Sequence, residues 1–182
     1  MSSGSTLTEW HIVAANAATL RADVLVCPAN VFLTLSGGVG GELLLQYGDA
    51  MQGELRSWLA ERGLRFVRQG DIIETSGGGS PYRAVLHAIA VDGFYQSSRD
   101  VVGRLISQCL DRANELGAAS VVLPALATGY GRLPIQDFAR SLLPMVDRTY
   151  TSIRRVTICV RRAGDIEIVR GTIPDLKTLG AS

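Results

Sequence analysis

The sequence predicts an α/β fold in which a mixed, mostly parallel sheet lies between layers of helix. Two observations carry this. Five short runs rich in Val, Ile and Leu recur at residues 11–14, 23–28, 84–90, 120–125 and 154–160, nearly continuous in apolar character rather than alternating. Strands covered on both faces read that way. Between these runs lie segments whose apolar residues return every three or four positions, the period of an amphipathic helix. Strands alternating with helices point to a parallel sheet with helices on its faces. The length, 182 residues, fits one domain with a sizeable core. At 47% hydrophobic and 19% charged residues the composition is that of a folded globular chain.

The helices follow in order. In 49–62, Met51, Leu55, Trp58 and Leu59 share one face and Asp49 stands at the N-cap position. In 98–116, Val101, Val102, Leu105, Ile106, Cys109, Leu110 and Ala113 make a wide apolar stripe, with Ser98 to cap it and Gly117 to end it. In 134–146, Pro134 occupies the first helical position, Ile135, Phe138, Ala139 and Leu142 face inward, and Pro144 ends or kinks the helix. A further short strand is expected near 71–75. Residues 1–8 and 178–182 are small and polar and are expected to fray. No element is assigned to the last twenty residues. No linker or repeat divides the chain, so 1–182 is read as one domain with its core at about 10–162.

Several function classes are excluded. Eighteen Lys and Arg against seventeen Asp and Glu leave a net charge of +1, too little for broad capture of nucleic acid. A local phosphate site stays open, because backbone amides bind phosphate without net charge. Cys27, Cys109 and Cys159 are far apart, form no CxxC pair and each lie in an apolar run, so they read as core residues. With His11 and His87 as the only histidines, a His-rich metal centre is excluded and no metal site is expected. No cofactor is expected either. No run of eighteen apolar residues calls for a membrane span, and the N-terminus lacks the apolar segment of a secretory signal. The expected compartment is the cytoplasm.

Two glycine-rich turns are the candidates for chemistry. Ser36-Gly37-Gly38-Val39-Gly40-Gly41-Glu42 runs into the apolar segment 43–47, and Ala127-Thr128-Gly129-Tyr130-Gly131-Arg132 joins the strand at 120–125 to the helix at 134. Glycine lets a ligand approach the backbone closely, and a turn that opens a helix presents unpaired N–H groups at its positive end. Ligands of open α/β sheets collect beyond the carboxyl ends of the strands. Neither turn is a Walker A loop, and both lack the last glycine of GxGxxG. A third run, Gly77-Gly78-Gly79-Ser80-Pro81, reads as a plain surface loop. His87, in mid-strand among Ala, Leu and Ile, reads as a core histidine bonded to backbone. Trp10, Trp58 and Tyr95 read as core or surface aromatics.

Ala22-Asp23-Val24-Leu25-Val26-Cys27-Pro28-Ala29-Asn30 followed by Ser36-Gly37-Gly38-Val39-Gly40-Gly41 resembles the opening of a macro domain, where a strand ending in Asn-Ala-Ala-Asn precedes a Gly-Gly-Gly-Val loop. Val121-Val122-Leu123-Pro124-Ala125-Leu126-Ala127-Thr128-Gly129 is similar to the family's second loop, and Val85-Leu86-His87-Ala88 to its central strand. Order and spacing agree over roughly 10–162. The resemblance, to ADP-ribose-binding members of the Appr-1″-p processing type, implies a three-layer α/β/α sandwich with an ADP-ribose cleft at the crest of a central mixed sheet. The implied ligand is free ADP-ribose, a derivative of it, or an ADP-ribosylated protein.

The same resemblance implies roles for individual residues. Asn16 stands where the family reads adenine with Asp; its carbonyl still accepts a hydrogen bond, without the charge. Asn30 would bond the distal ribose or, as a structural residue, close a turn. Gly37, Gly38, Val39 and Gly40 would line the diphosphate on one side, and Thr128, Gly129, Tyr130 and Gly131 on the other. Arg132 would reach a phosphate or simply solvate its loop. Arg161 stands where the family often stacks an aromatic ring on adenine, and would stack there or lie solvated at the strand end. The departures at Asn16, Cys27, Pro28 and Gly131 would leave room for a modified ligand, and the glycines at 40 and 131 would open space beside the distal ribose for an extra substituent.

Catalysis is disfavoured. One branch of the family places Asp where this chain has Gly40, and another where it has Gly131. The glycohydrolase branch needs paired glutamates, whereas this chain has Glu42 and then Gln46, and its single lysine is Lys177. Glycine transfers no proton, and general acid–base help is worth about 10²–10⁴-fold. The expectation is a binding protein. Two alternatives stand beside it: a hydrolase of ADP-ribosyl esters such as O-acetyl-ADP-ribose, with Glu42 as the nearest acid, and an interaction module that has lost the ligand.

Overall fold

The computed structural model describes residues 7–180. The elements are β1 (Glu9–Ala14), a 3₁₀ turn (Ala17–Thr19), β2 (Val24–Ala29), α1 (Gly38–Tyr47), α2 (Ala50–Glu61), β3 (Ile72–Ser76), β4 (Ala84–Ile89), α3 (Arg99–Glu115), β5 (Ser120–Pro124), α4 (Ile135–Val146), β6 (Arg155–Val160), α5 (Ala163–Thr172) and β7 (Lys177–Thr178). The strands form one sheet in the order β3-β4-β2-β5-β6-β1-β7. Every pairing is parallel except that of the edge strand β3 with β4.

Alternate residues of β1 to β6 feed two cores. On β2, Val24 and Val26 point into the core beneath α3, α4 and α5, while Leu25 and Cys27 point into the one beneath α1 and α2. Both faces are therefore covered, which is why the strand runs read as continuous apolar stretches. The α3 stripe is buried at Val102, Leu105, Ile106, Cys109, Leu110 and Ala113, with Val101 half-buried, and the Ser98 hydroxyl accepts from the Val101 amide at 3.3 Å. In α4, Pro134 caps rather than opens the helix, and Pro144 lies in the last turn, two residues before the end. Asp49 precedes α2 as expected, without a side-chain cap bond.

The structure departs from expectation in several further places. The apolar segment 43–47 belongs to a longer helix that begins within the glycine turn. Two elements, α5 and β7, occupy the unassigned C-terminal stretch. Fraying was expected at 1–8 and 178–182, of which 1–6 and 181–182 lie outside the described residues. Of the rest, the Thr8 hydroxyl bonds the Ile153 carbonyl at 2.8 Å and the Leu179 amide bonds the Ile12 carbonyl at 2.9 Å. Gly77 is no plain surface residue: it is buried at the end of β3, where a Cβ would collide with the Tyr82 carbonyl.

His87 is fully buried on β4, and its Nε2 meets the Thr75 hydroxyl at 2.9 Å, so its partner is a side chain on β3 rather than backbone. Burial pushes its pKa down to about 4. The folded chain thus keeps His87 neutral at pH values where the unfolded chain, titrating near 6.5, binds a proton. Stability is expected to fall as pH drops from about 6.5 to about 4. Urea midpoints at pH 7 and 4.5 test this, and the decline should be smaller in His87→Gln.

Candidate functional site

Four neighbouring parallel strands, in the order β2, β5, β6, β1, end on one edge of the sheet, and each is followed by a residue picked out in the sequence. Asn30 follows β2, Thr128 lies in the loop after β5, Arg161 follows β6, and Asn16 lies just past β1. The α1 helix passes over this crest.

In the first loop Asn30 acts as a strut. Its carbonyl accepts from the amides of Phe32 at 3.0 Å and Thr34 at 3.3 Å, and its amide donates to the Thr34 carbonyl at 2.8 Å. One amide hydrogen is left for a ligand. Buried Gln52 holds the next turn, accepting from the Leu35 amide at 2.7 Å and donating to the Leu33 carbonyl at 2.9 Å. The loop then delivers α1 with Gly37 at its N-cap, no side-chain cap bond and no acidic residue in the first turn. The positive end of the helix and its first N–H groups, from Gly38, Val39 and Gly40, have no anionic partner from that segment.

In the second loop the Thr128 hydroxyl donates to the Ala125 carbonyl at 2.8 Å, and the Leu133 amide reaches the Ala127 carbonyl at 3.0 Å. Gly129 has open space where a Cβ would stand. Tyr130 is 70% exposed, its ring lies 6.0 Å from that of Tyr95, and its hydroxyl lies 2.8 Å from where a Cβ of Gly37 would be. Arg132 is exposed at a φ of 51°. Among the described residues, the four non-glycine residues at positive φ, Leu33, Tyr95, Ala127 and Arg132, all lie in the loops after β2, β4 and β5. Backbone conformations of this kind are costly and gather where a loop must hold a set shape.

At the far end of the crest, the Asn16 carbonyl caps the 3₁₀ turn through the Ala18 amide at 3.0 Å, and its amide donates to Glu42 at 3.2 Å. Glu42 also accepts from Gln46 at 3.4 Å. Arg161 brings Nη2 to 3.7 Å from where a Cβ of Gly38 would be, at the start of α1. At Gly40 and Gly131 the place a side chain would take is filled by the protein itself. A Cβ at Gly40 would stand 3.1 Å from the Leu35 side chain, and one at Gly131 would stand 2.6 Å from the Ala127 carbonyl oxygen and 2.8 Å from a Val91 methyl.

A family model described as Macro domain matches residues 26–142. The chain belongs to the macro domain family. A macro domain-containing protein from Streptomyces nogalater is 32% identical to it over 151 residues, covering 82% of this chain and 83% of that one. Among solved structures, an Oceanobacillus iheyensis macrodomain variant with ADPR superposes with a TM-score of 0.79 at 18% identity, covering 90% of each chain. The Trypanosoma brucei macrodomain in complex with ADP-ribose superposes with a TM-score of 0.75 at 18% identity, covering 94% of this chain and 72% of that one.

Three contacts in this macro domain have no signal in the sequence. Glu42 meets Asn16 from 26 positions away, Arg161 reaches Gly38, and Tyr130 packs on Tyr95. Each joins segments that follow different strands, which neither periodicity nor motif spacing brings together. The three cysteines are buried and free, as the sequence indicates. Burial pushes the Cys27 thiol up to about 12, that of Cys159 up to about 11, and that of Cys109 up as well, so none is poised as a nucleophile.

Proposed function

We propose that this macro domain binds ADP-ribose, or a derivative carrying it, along the crest between its two glycine-rich loops. The observation that carries this is the uncapped start of α1, set among four adjacent strand ends that each present a polar or glycine-rich segment. Four strands at a spacing of about 4.8 Å span roughly 14 Å, a row suited to a long ligand with a base at one end, a diphosphate between and a sugar at the other. Asn16 and Glu42 supply polar atoms for the base end, the two glycine turns supply the diphosphate site, and Asn30 faces the distal sugar. ADPR and ADP-ribose in the related macrodomain structures support the same reading.

Binding without turnover is favoured by the position of Glu42. The acid nearest the glycine loop in sequence is held by Asn16 and Gln46, at the end of the crest away from Asn30. The deciding experiment is titration calorimetry with ADP-ribose, ADP, AMP and NAD. Selective binding of ADP-ribose, weakened at least about fivefold in Asn30→Ala with thermal stability checked alongside, is the expected result. Heat from none of the four overturns the reading. Acetate release from O-acetyl-ADP-ribose that is abolished by Glu42→Gln establishes the esterase alternative instead.

A further inference from the structure

We infer that Arg161 contacts the diphosphate and sets the preference for diphosphate-bearing ligands, instead of stacking on the base. The inference rests on the ADP-ribose reading and assigns a residue of that same site. The first observation is position. The guanidinium lies over Gly38, the first residue of α1, where a Cβ would stand 3.7 Å from Nη2. The base end of the crest is marked by the Asn16–Glu42 contact, and Glu42 stands one helical turn further on, about 6 Å along the axis.

The second observation is charge. Among the described residues no carboxylate pairs with Arg161. Asp165, the acid of the next turn, is held by Arg162 through bonds of 3.2 and 3.1 Å. Glu42, the acid on α1, accepts from the neutral amides of Asn16 and Gln46 and forms no ion pair with Arg161. A guanidinium without an ion-pair partner therefore stands against a helix N-terminus with no acid in its first turn. Both are positive, and their proximity is unfavourable until an anion lies between them. An arginine fork matches two phosphate oxygens, a geometry that lysine or a stacking aromatic does not reproduce. Gly38 helps by offering no side chain between the guanidinium and the α1 amides.

The test measures affinities of wild type, Arg161→Gln and Arg161→Lys for ADP-ribose, ADP and AMP by calorimetry, at low and high salt. The side chain is exposed, so melting temperatures should match within the error of the measurement. In Arg161→Gln, affinity for ADP-ribose and ADP should fall about tenfold or more, and the ADP to AMP affinity ratio should fall with it. The salt dependence of ADP binding should flatten, and Arg161→Lys should recover part of the loss. An unchanged ADP to AMP ratio, whether all affinities fall together as for stacking or none falls, overturns the inference. Wild type that binds no ADP-ribose overturns the binding reading, and the inference falls with it.

Discussion

Replacing Phe138 by alanine is expected to remove about 3–5 kcal/mol of stability and to lower the melting temperature by roughly 6–20 °C. Phe138 is fully buried and is the bulkiest side chain of α4, packed in the core beneath α3, α4 and α5. Its removal loses the transfer free energy of a ring and leaves a void that close-packed neighbours fill only in part. The position also bears on function. The second glycine loop runs straight into α4, and Leu133 and Ile135, at the junction, are anchored in the same core. Thermal melts and urea midpoints measure the loss. Leu143→Ala, on the same helix but 43% exposed, is the control and should change stability by less than about 1 kcal/mol. A loss under 1 kcal/mol at Phe138 would mean that α4 does not depend on this contact.

Phe138 also shows why so much of the fold is legible in the sequence. Its spacing with Ile135, Ala139 and Leu142 is set by the helical period, and burial follows that period. The strand runs are legible for a similar reason, since residues covered on both faces must be apolar at every position. What the sequence conceals is of two kinds. Short weakly patterned elements such as β7, two residues long at the sheet edge, are defined by their pairing partner. The start of α1 is hidden because glycines are poor helix formers, while the helix in the fold packs against β2 and the 3₁₀ turn. For the site, the motifs identify which loops matter, because each motif is local. They do not show which side chains meet. Asn30 exemplifies the limit: its residue type suits both a ligand contact and a turn closure, and the structure shows three bonds of the turn.

The same distinction decides how the two glycines of the second loop should respond to substitution. Gly131→Ala is expected to cost about 1–3 kcal/mol and to weaken ADP-ribose binding about tenfold or more. The added methyl would have to displace the Ala127 carbonyl or the Val91 side chain, and Ala127 already sits at a φ of 62°. The loop has little freedom to yield there, since the Leu133 amide is tied to that same carbonyl. Gly129→Ala meets nothing within 4 Å and should leave stability within about 0.5 kcal/mol. Any loss of ADP-ribose affinity in it then reports the ligand's approach to the backbone, not a folding defect. The pair separates glycine kept for packing from glycine kept for the ligand. It bears on catalysis too. An aspartate at 131 carries the same Cβ as alanine, so Gly131→Asp should lose binding and gain no hydrolase activity against ADP-ribosyl esters. Turnover appearing in that variant, with binding intact, would show that the loop can relax around an acid. The absence of an acid would then be the only barrier to chemistry at this crest.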